Sequence, residues 1–355
     1  MKRILINGDR AYLPVDGMNR CLSEMVRSLD TLVEKDKYVL VIPSDVDREF
    51  CDRIKDLRNI RIKKTILPHF RFWTLIYIDI PGLLPGRIVV NPANRSSIFG
   101  GGINILHDII PLRFYGERCR RYLRTIRRLL YTSDCLIVPS EFTRDDIREA
   151  KTRDYKIRVI HLGWQHYPDI QEDEGIFNEY SGIERGSYYY TVSAVSPHKN
   201  LKFIYEAARR NPNRMFIIAG AMNRGYGFEY SDLKNLLFVG RIDDKKSKAL
   251  MMNCRAFIFP SLYEGAGLPP LEALSCGVSV LASDIEVIHE YCGDAVHYFD
   301  PYDYDLDLEA ALNTKVSDPE EALGLLSWDR AAQELKSIIE SYGVRGRLSM
   351  TSLKE

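Results

Sequence analysis

The residues best suited to chemistry lie together in the second half of the chain, in the run Tyr263-Glu264-Gly265-Ala266-Gly267-Leu268-Pro269-Pro270-Leu271-Glu272-Ala273-Leu274-Ser275-Cys276-Gly277. Short apolar runs at 256–259 and 278–282 flank it and read as strands, so the segment is a strand-loop-helix-strand unit. Gly265 and Gly267 allow close backbone approach, Pro269 or Pro270 suits a first helical turn, and Gly277 suits the residue just past a helix end. A glycine loop that opens a helix presents backbone N–H groups and the positive end of the helix dipole, which together favour phosphate. Two carboxylates, Glu264 at the loop mouth and Glu272 inside the helix, would repel phosphate unless they face hydroxyl groups. That combination points to a sugar or ribose beside a phosphate. A plainer reading stands beside it: Glu272 complements the helix N-terminus and the glycines make a tight turn.

Two further positions carry chemistry. Ser196-Pro197-His198-Lys199-Asn200 follows the first strand of the second half and offers a fixed cation, or else a solvated lysine on a proline turn. His107-Asp108 closes a strand in the first half, where an imidazole is placed to touch a ligand; a buried histidine bonded to a backbone carbonyl is the alternative, with Asp108 only orienting the ring.

Alternating strands and helices must position these groups. Strands are expected at 3–7, 38–42, 60–64, 88–91, 103–107, 135–139 and 157–161, and again at 188–193, 214–219, 236–239, 256–259 and 278–282. Helices lie between several of them, notably 18–29 after Gly17 and 142–150 after the cap Ser140. Continuously apolar strands joined by helical crossovers imply parallel sheets. Residues 163–186, with an acidic run at 171–174 and glycines at 175, 182 and 186, read as a linker. The division expected is 1–165 as an N-terminal Rossmann-like domain, 166–327 as a C-terminal Rossmann-like domain, 328–342 as a last helix, and 343–355 as a loose tail. Ligands bind beyond the carboxyl ends of such strands, so a cleft between the domains is the default site.

Composition sets the outer limits. The 355 residues are 45% hydrophobic and 28% charged, which excludes general disorder and fibrous repeats. Seven cysteines, an odd number without a Cys-x-x-Cys pair, argue against a disulfide framework or zinc ribbon. No segment offers a signal peptide's core or the ~18 apolar residues needed to span a bilayer, so a soluble cytoplasmic protein, with at most peripheral contact on the inner membrane face, is expected. Zero net charge hides an asymmetry: residues 1–160 hold 30 basic and 20 acidic side chains, leaving 19 and 29 for the rest. The first half invites an anionic partner. Its sharpest feature is a helical stretch with Arg120, Arg121, Arg124, Arg127 and Arg128 on one face, Tyr122, Leu123, Ile126, Leu129 and Leu130 on the other, and Glu117 as the only nearby acid. This face suits an anionic membrane surface, or is an ordinary solvated one. Nucleic acid is not expected as a partner.

The segment Glu264 to Glu272 resembles the Glu-x7-Glu motif of family-4 retaining glycosyltransferases (glycosyltransferase group 1), and the likeness runs from Gly17-Met18-Asn19-Arg20 to Trp328. The resemblance implies an α/β protein of GT-B fold, two Rossmann-like doubly wound domains facing across a cleft, with 1–165 as the acceptor domain, 166–327 as the nucleotide-sugar domain and the helix 328–342 crossing back to the first. It implies Glu264 toward the donor sugar, backbone of Ala266, Gly267 and Leu268 near sugar and diphosphate, and Glu272 on the ribose hydroxyls. Lys199 matches one of the family's basic residues at the donor diphosphate and His198 stands where some relatives have Arg; the Arg that others carry earlier is replaced by Ser193 or Ala194. His107 matches a histidine near sugar and acceptor, and Gly17 a glycine loop near the diphosphate and acceptor. Ser140-Glu141-Phe142-Thr143 resembles a family stretch that Ser140 capping explains, and Gly163-Trp164-Gln165-His166 resembles a turn near the hinge. No cofactor or metal is implied, and Asp303-x-Asp305-x-Asp307 reads as a solvated surface loop.

The implied activity is retaining transfer of a hexose, with GDP-mannose as lead donor by analogy, to a glycan or lipid-linked glycan in surface polysaccharide synthesis. Rivals are a degenerate protein that binds a sugar nucleotide without turnover and a GT-B sugar-nucleotide epimerase. A dinucleotide oxidoreductase lacks its Gly-x-Gly-x-x-Gly after the first strand of either half.

Overall fold

The structure is a computed structural model that describes residues 3–95, 97–115, 120–149, 157–221 and 233–345. It divides into two compact units, Met1–Gly163 with Ser327–Glu355, and Trp164–Leu326.

In the first unit, β1 (Arg3–Asn7), β2 (Tyr38–Ile42), β3 (Arg61–Lys64), β4 (Arg87–Asn91), β5 (Ile103–Ile105), β6 (Cys135–Val138) and β7 (Ile157–Val159) form one seven-stranded sheet in the order β3-β2-β1-β4-β5-β6-β7. Every pairing is parallel. The central strands are buried on both faces, which is why β2 reads Tyr-Val-Leu-Val-Ile without a polar break. The edge strand β3 exposes all four of its residues, three of them basic, which discourages edge-to-edge pairing. The helix Gly17–Asp30 follows β1; Asp16 caps it by accepting from Asn19 N–H at 2.9 Å, and Cys21, Leu22, Met25, Val26 and Leu29 form its buried face.

The helix Trp328–Arg345 belongs to this unit and packs on Gly17–Asp30, and its Trp328, Ala331, Leu335 and Ile339 are buried. It continues past 342, where a loose tail was expected, because Tyr342 Oη donates to Asp134 Oδ2 at 2.5 Å and fixes the last turn. Residues 346–355 lie outside the described ones, as do Glu117 and Ala150. Ser140 does cap the helix Glu141–Glu149, its Oγ accepting from Thr143 N–H at 3.0 Å.

In the second unit, β8 (Tyr188–Val192), β9 (Met215–Ala219), β10 (Leu236–Gly240), β11 (Ala256–Phe259), β12 (Val280–Ser283) and β13 (His297–Phe299) form a six-stranded sheet ordered β10-β9-β8-β11-β12-β13, again all parallel. Three-residue β13 is too short to show in the apolar pattern. Tyr189, Phe216, Ile218 and Ile258 pack with Phe203 and Ile204 of the helix Leu201–Arg210 to form a core.

The segment 163–186 is not a free linker. Lys248 Nζ donates to the carbonyls of Pro168 and Ile170 at 2.6 and 2.7 Å, and Asp173 N–H reaches Lys245 O at 3.1 Å, so its polar groups are tied to the second unit. The division falls after Gly163 instead of after Gln165 because Trp164 Nε1 and Gln165 Nε2 donate to Leu323 and Leu326 carbonyls, both at 2.9 Å.

Candidate functional site

In each sheet the strand order reverses at one place, between β1 and β4 in the first unit and between β8 and β11 in the second. The chain leaves adjacent strands in opposite directions there, which opens a crevice at their carboxyl ends. The loops leaving β8 and β11 carry the two most informative motifs. After β8 come Ser193 to Ser196 and a turn of 3-10 helix, Pro197–Lys199, closed by Asn200 in the left-handed conformation (φ 49°). After β11 comes the loop leading to the helix Leu268–Ser275.

The two loops are joined. Leu262 N–H donates to His198 O at 2.7 Å, and Lys199 Nζ donates to Glu264 Oε1 at 2.5 Å while lying 5.5 Å from the Phe259 ring centroid. The Glu264 side chain is only 10% exposed and that of Lys199 20%, so both charges are largely withdrawn from water and each is the other's counterion. Gly220 makes this packing possible. It stands at φ +155°, and a Cβ there would sit 1.8 Å from Ser193 O, so the strand neighbouring β8 can approach the loop only as glycine.

The helix Leu268–Ser275 begins at Gly267 without a side-chain cap, and Pro269 and Pro270 supply no N–H. The donors at this end are therefore the backbone amides of Ala266, Gly267 and Leu268. A Cβ on Gly267 would lie 2.8 Å from Ile288 Cδ1, so the loop also packs tightly on the helix Glu286–Cys292. Glu272, one turn in, is buried and its Oε1 lies 3.0 Å from His166 Nε2. Tyr167 is buried beside it, and burial followed by the Glu272 charge holds its phenol well above the usual range.

His198 is buried at the junction of the loops. Burial first, and then the charge of Lys199, push its imidazole down to about 4, with Glu264 opposing. It is neutral at pH 7. The sign follows: the unfolded imidazole takes a proton below about 6.5 and the folded one does not until about 4, so its contribution to stability is full above 6.5 and is lost as pH falls from there toward 4. That contribution is roughly 3 kcal/mol at most. Thermal unfolding from pH 7 to pH 4 should therefore show a steeper loss of stability in the wild type than in His198→Gln; parallel curves would refute this burial.

The remaining expected residues, His107 and Gly17, lie in the first unit. The His107 ring lies 2.8 Å from Pro92 O through Nε2, and the backbone N–H of His107 donates to Asn94 Oδ1 at 2.7 Å. A carbonyl only accepts, so Nε2 carries the proton and Nδ1 keeps its lone pair in the neutral ring; burial favours that neutral form. The carbonyl-bonded arrangement is thus present, and it leaves one nitrogen for a ligand. A Cβ at Gly17 would meet nothing within 4 Å, so packing inside this unit gives no reason for glycine there.

Sequence reasoning left out His166 as a site residue, although its turn was noticed; a partner 106 residues away leaves no local signal. It also left out the switch point of the first sheet, where Asp9 is buried and pairs with Arg95 at 2.7 Å while Arg10 pairs with Asp16 at 2.6 Å. Among the described residues, no group of three or more His, Cys, Asp or Glu side chains is arranged to hold a metal ion.

Residues 175–325 match the family described as Glycosyl transferases group 1. The second unit is a group 1 glycosyl transferase domain. The Lys199–Glu264 pair, Gly267 and Glu272 all lie inside the matched stretch of this group 1 domain. Curated relatives include O-antigen chain mannosyltransferase B of Escherichia coli, 33% identical over 129 residues, which are 33% of this chain and 34% of that protein. O-antigen chain mannosyltransferase RfbU of Salmonella typhimurium is 28% identical over 208 residues, 56% of each chain. The alignments thus span about a third of the first relative's length and little more than half of the second's. A crystal structure of Anabaena Alr3699/HepE in complex with UDP-glucose superposes with a TM-score of 0.70 at 16% identity, covering 96% of this chain and 100% of that one. With two parallel Rossmann-like sheets, the group 1 domain and its companion have the GT-B fold.

Proposed function

We propose that the chain is a retaining glycosyltransferase that moves a hexose, with mannose from GDP-mannose as the lead, from a nucleoside diphosphate sugar to a glycan or lipid-linked glycan during surface polysaccharide synthesis. The observation that carries this reading is the Lys199–Glu264 pair, 2.5 Å apart and largely withdrawn from water at the β8/β11 switch point of a group 1 domain. An isolated pair of this kind has little net value for stability, because desolvation offsets much of the attraction. It does preorganise a cation for a diphosphate and a carboxylate for a sugar. The mannosyltransferase names of the curated relatives favour mannose, and the UDP-glucose bound by HepE favours a sugar nucleotide.

In this mechanism the bond from the anomeric carbon to the diphosphate oxygen breaks as the acceptor oxygen approaches the same face. The acceptor proton passes to the departing phosphate oxygen, and the configuration is kept. Lys199 meets the charge that grows on the diphosphate, the amides of Ala266 to Leu268 share it, and Glu264 faces the oxocarbenium-like sugar. Glu272, oriented by His166, holds the ribose hydroxyls. His198 lies behind Lys199, and His107 and Gly17 serve the acceptor-side unit. No metal or cofactor takes part.

A thermal-shift series with GDP-, UDP- and ADP-sugars tests the donor, since a ligand at ~100 times its Kd adds about 2.7 kcal/mol of stability. The anomeric configuration of the product, read by NMR, tests retention. Release of free nucleotide without any glycoside, or an epimerised sugar nucleotide without acceptor, would replace the transfer reading.

A further inference from the structure

The first sheet carries a row of buried amides for which neither its apolar core nor the sugar-nucleotide site has a use. Asn7, Asn91 and Asn104 are 1, 0 and 0% exposed. They stand on three adjacent strands: the β1/β4 register pairs Ile6 with Val90 and so brings Asn7 beside Asn91, and the β4/β5 register pairs Asn91 with Asn104. Asn7 Nδ2 donates to Asn91 Oδ1 at 2.9 Å, Asn91 Nδ2 to Asn104 Oδ1 at 2.8 Å, and Asn104 Nδ2 to Ser133 Oγ at 2.9 Å. The Ser133 hydroxyl in turn donates to Leu129 O at 2.6 Å. Every donor points the same way, so each link polarises the next. Strands buried on both faces commonly carry Val or Ile at such positions, and an amide withdrawn from water is costly unless it is bonded. The row is better explained by what it holds in place than by stability.

It closes two circuits that share Asn91. In the first, Asn7 Oδ1 accepts from Asp9 N–H at 3.0 Å, Asp9 Oδ2 accepts from Arg95 Nε at 2.7 Å, and the chain from Arg95 back to Asn91 completes the ring. Gly8 is fixed inside it: its N–H donates to Val41 O at 2.9 Å, and a Cβ there would lie 2.8 Å from that oxygen. In the second, the chain runs from Asn104 to His107, which is bonded to Pro92 O through Nε2 and to Asn94 Oδ1 through its backbone N–H, and 92–94 lead back to Asn91. Asn94, at φ 52°, is held by its own N–H on Ile105 O at 3.1 Å. The loops that leave β1, β4 and β5 at the switch point are thereby set against one another through a single side chain. The Arg95 side chain stays 43% exposed within this arrangement.

We propose that Asn7, Asn91 and Asn104 are positioning residues for the acceptor side of the reaction: their ladder fixes the β4 loop against the β1 and β5 loops, and so places the Arg95 guanidinium and His107 Nδ1 for the hydroxyl groups of a glycan acceptor. The proposal rests on the sugar-transfer reading. Loss of a rung frees the loops to shift, and a misplacement of ~1 Å costs about 10²-fold in rate.

Asn91→Val removes the shared rung and leaves Asn7 Nδ2 without its acceptor. The folded variant should bind GDP with wild-type affinity, while transfer falls by about 10²-fold with a raised acceptor KM. Its His107 imidazole N–H, followed by NMR without donor or acceptor, should exchange with water faster than in the wild type. Asn7→Val with Asn91→Val and Asn104→Val replaces the whole row by apolar groups, which restores stability and should leave transfer just as low. This triple variant carries the test if Asn91→Val does not fold. A ladder that serves stability alone requires the triple variant to transfer like the wild type; that result, or an unchanged His107 signal in either variant, would overturn the proposal. No transfer by the wild type would overturn the sugar-transfer reading as well, whereas equal transfer by wild type and variants would overturn this proposal alone.

Discussion

Lys199→Ala is expected to lower turnover by about 10²- to 10³-fold, roughly 2.7 to 4 kcal/mol, the range for removal of one preorganised donor to a developing anion. The lysine is held before any ligand arrives: its loop is bonded to the β11 loop through Leu262 and His198, and its ammonium is bound by Glu264 above the Phe259 ring. Charge accumulates on the diphosphate as the glycosidic bond breaks, so the interaction strengthens toward the transition state and the loss falls mainly on kcat. A smaller loss of donor affinity should accompany it, because Glu264, largely buried, would be left without its cation and would repel the incoming diphosphate. Lys199→Arg should rescue poorly, since a planar guanidinium does not reproduce a compact ammonium at 2.5 Å. Steady-state kinetics decide; a wild-type kcat in Lys199→Ala would remove the lysine from the chemistry.

Glu264→Gln should transfer poorly and yet bind free nucleoside diphosphate almost as the wild type does. The amide keeps the shape and can still accept from Lys199, so the loop should stay in place. What it lacks is the negative charge facing an oxocarbenium-like sugar, and charge is worth most where water is excluded. A turnover loss of about 10²-fold, with free-nucleotide affinity kept within a few-fold, is the expected pattern. Transfer at the wild-type rate would mean that the carboxylate serves only as the partner of Lys199.

The contrast between these positions and others shows what a sequence can carry. The strands were legible because residues buried on both faces of a parallel sheet are apolar without interruption, as in Cys135-Leu136-Ile137-Val138. Glu264, Gly267 and Glu272 were legible because one strand-loop-helix unit holds them at fixed spacing. The Lys199–Glu264 bond was not: it joins residues 65 apart and depends on β8 and β11 being neighbours, a property of strand order. His166 beside Glu272 was hidden for the same reason. Short β13 escaped notice, and the segment 163–186 read as a linker, because the bonds that order that segment are tertiary ones, from Lys248 to the Pro168 and Ile170 carbonyls.

The most direct test of the central claim, that the β8/β11 switch point of the group 1 domain holds a sugar nucleotide with Glu272 on the ribose, is calorimetric titration of GDP and GDP-mannose into wild type and Glu272→Ala. Glu272 is buried and oriented by His166, and its bonds to ribose hydroxyls would be the same in the free nucleotide, the donor and the transition state. A charged hydrogen bond of this kind contributes about 1.5 to 3 kcal/mol, so both ligands should bind Glu272→Ala more weakly by roughly 10- to 150-fold, and by the same factor. If Glu272→Ala, folded as judged by its unfolding transition, binds both ligands with wild-type affinity, the nucleotide does not lie where this account places it.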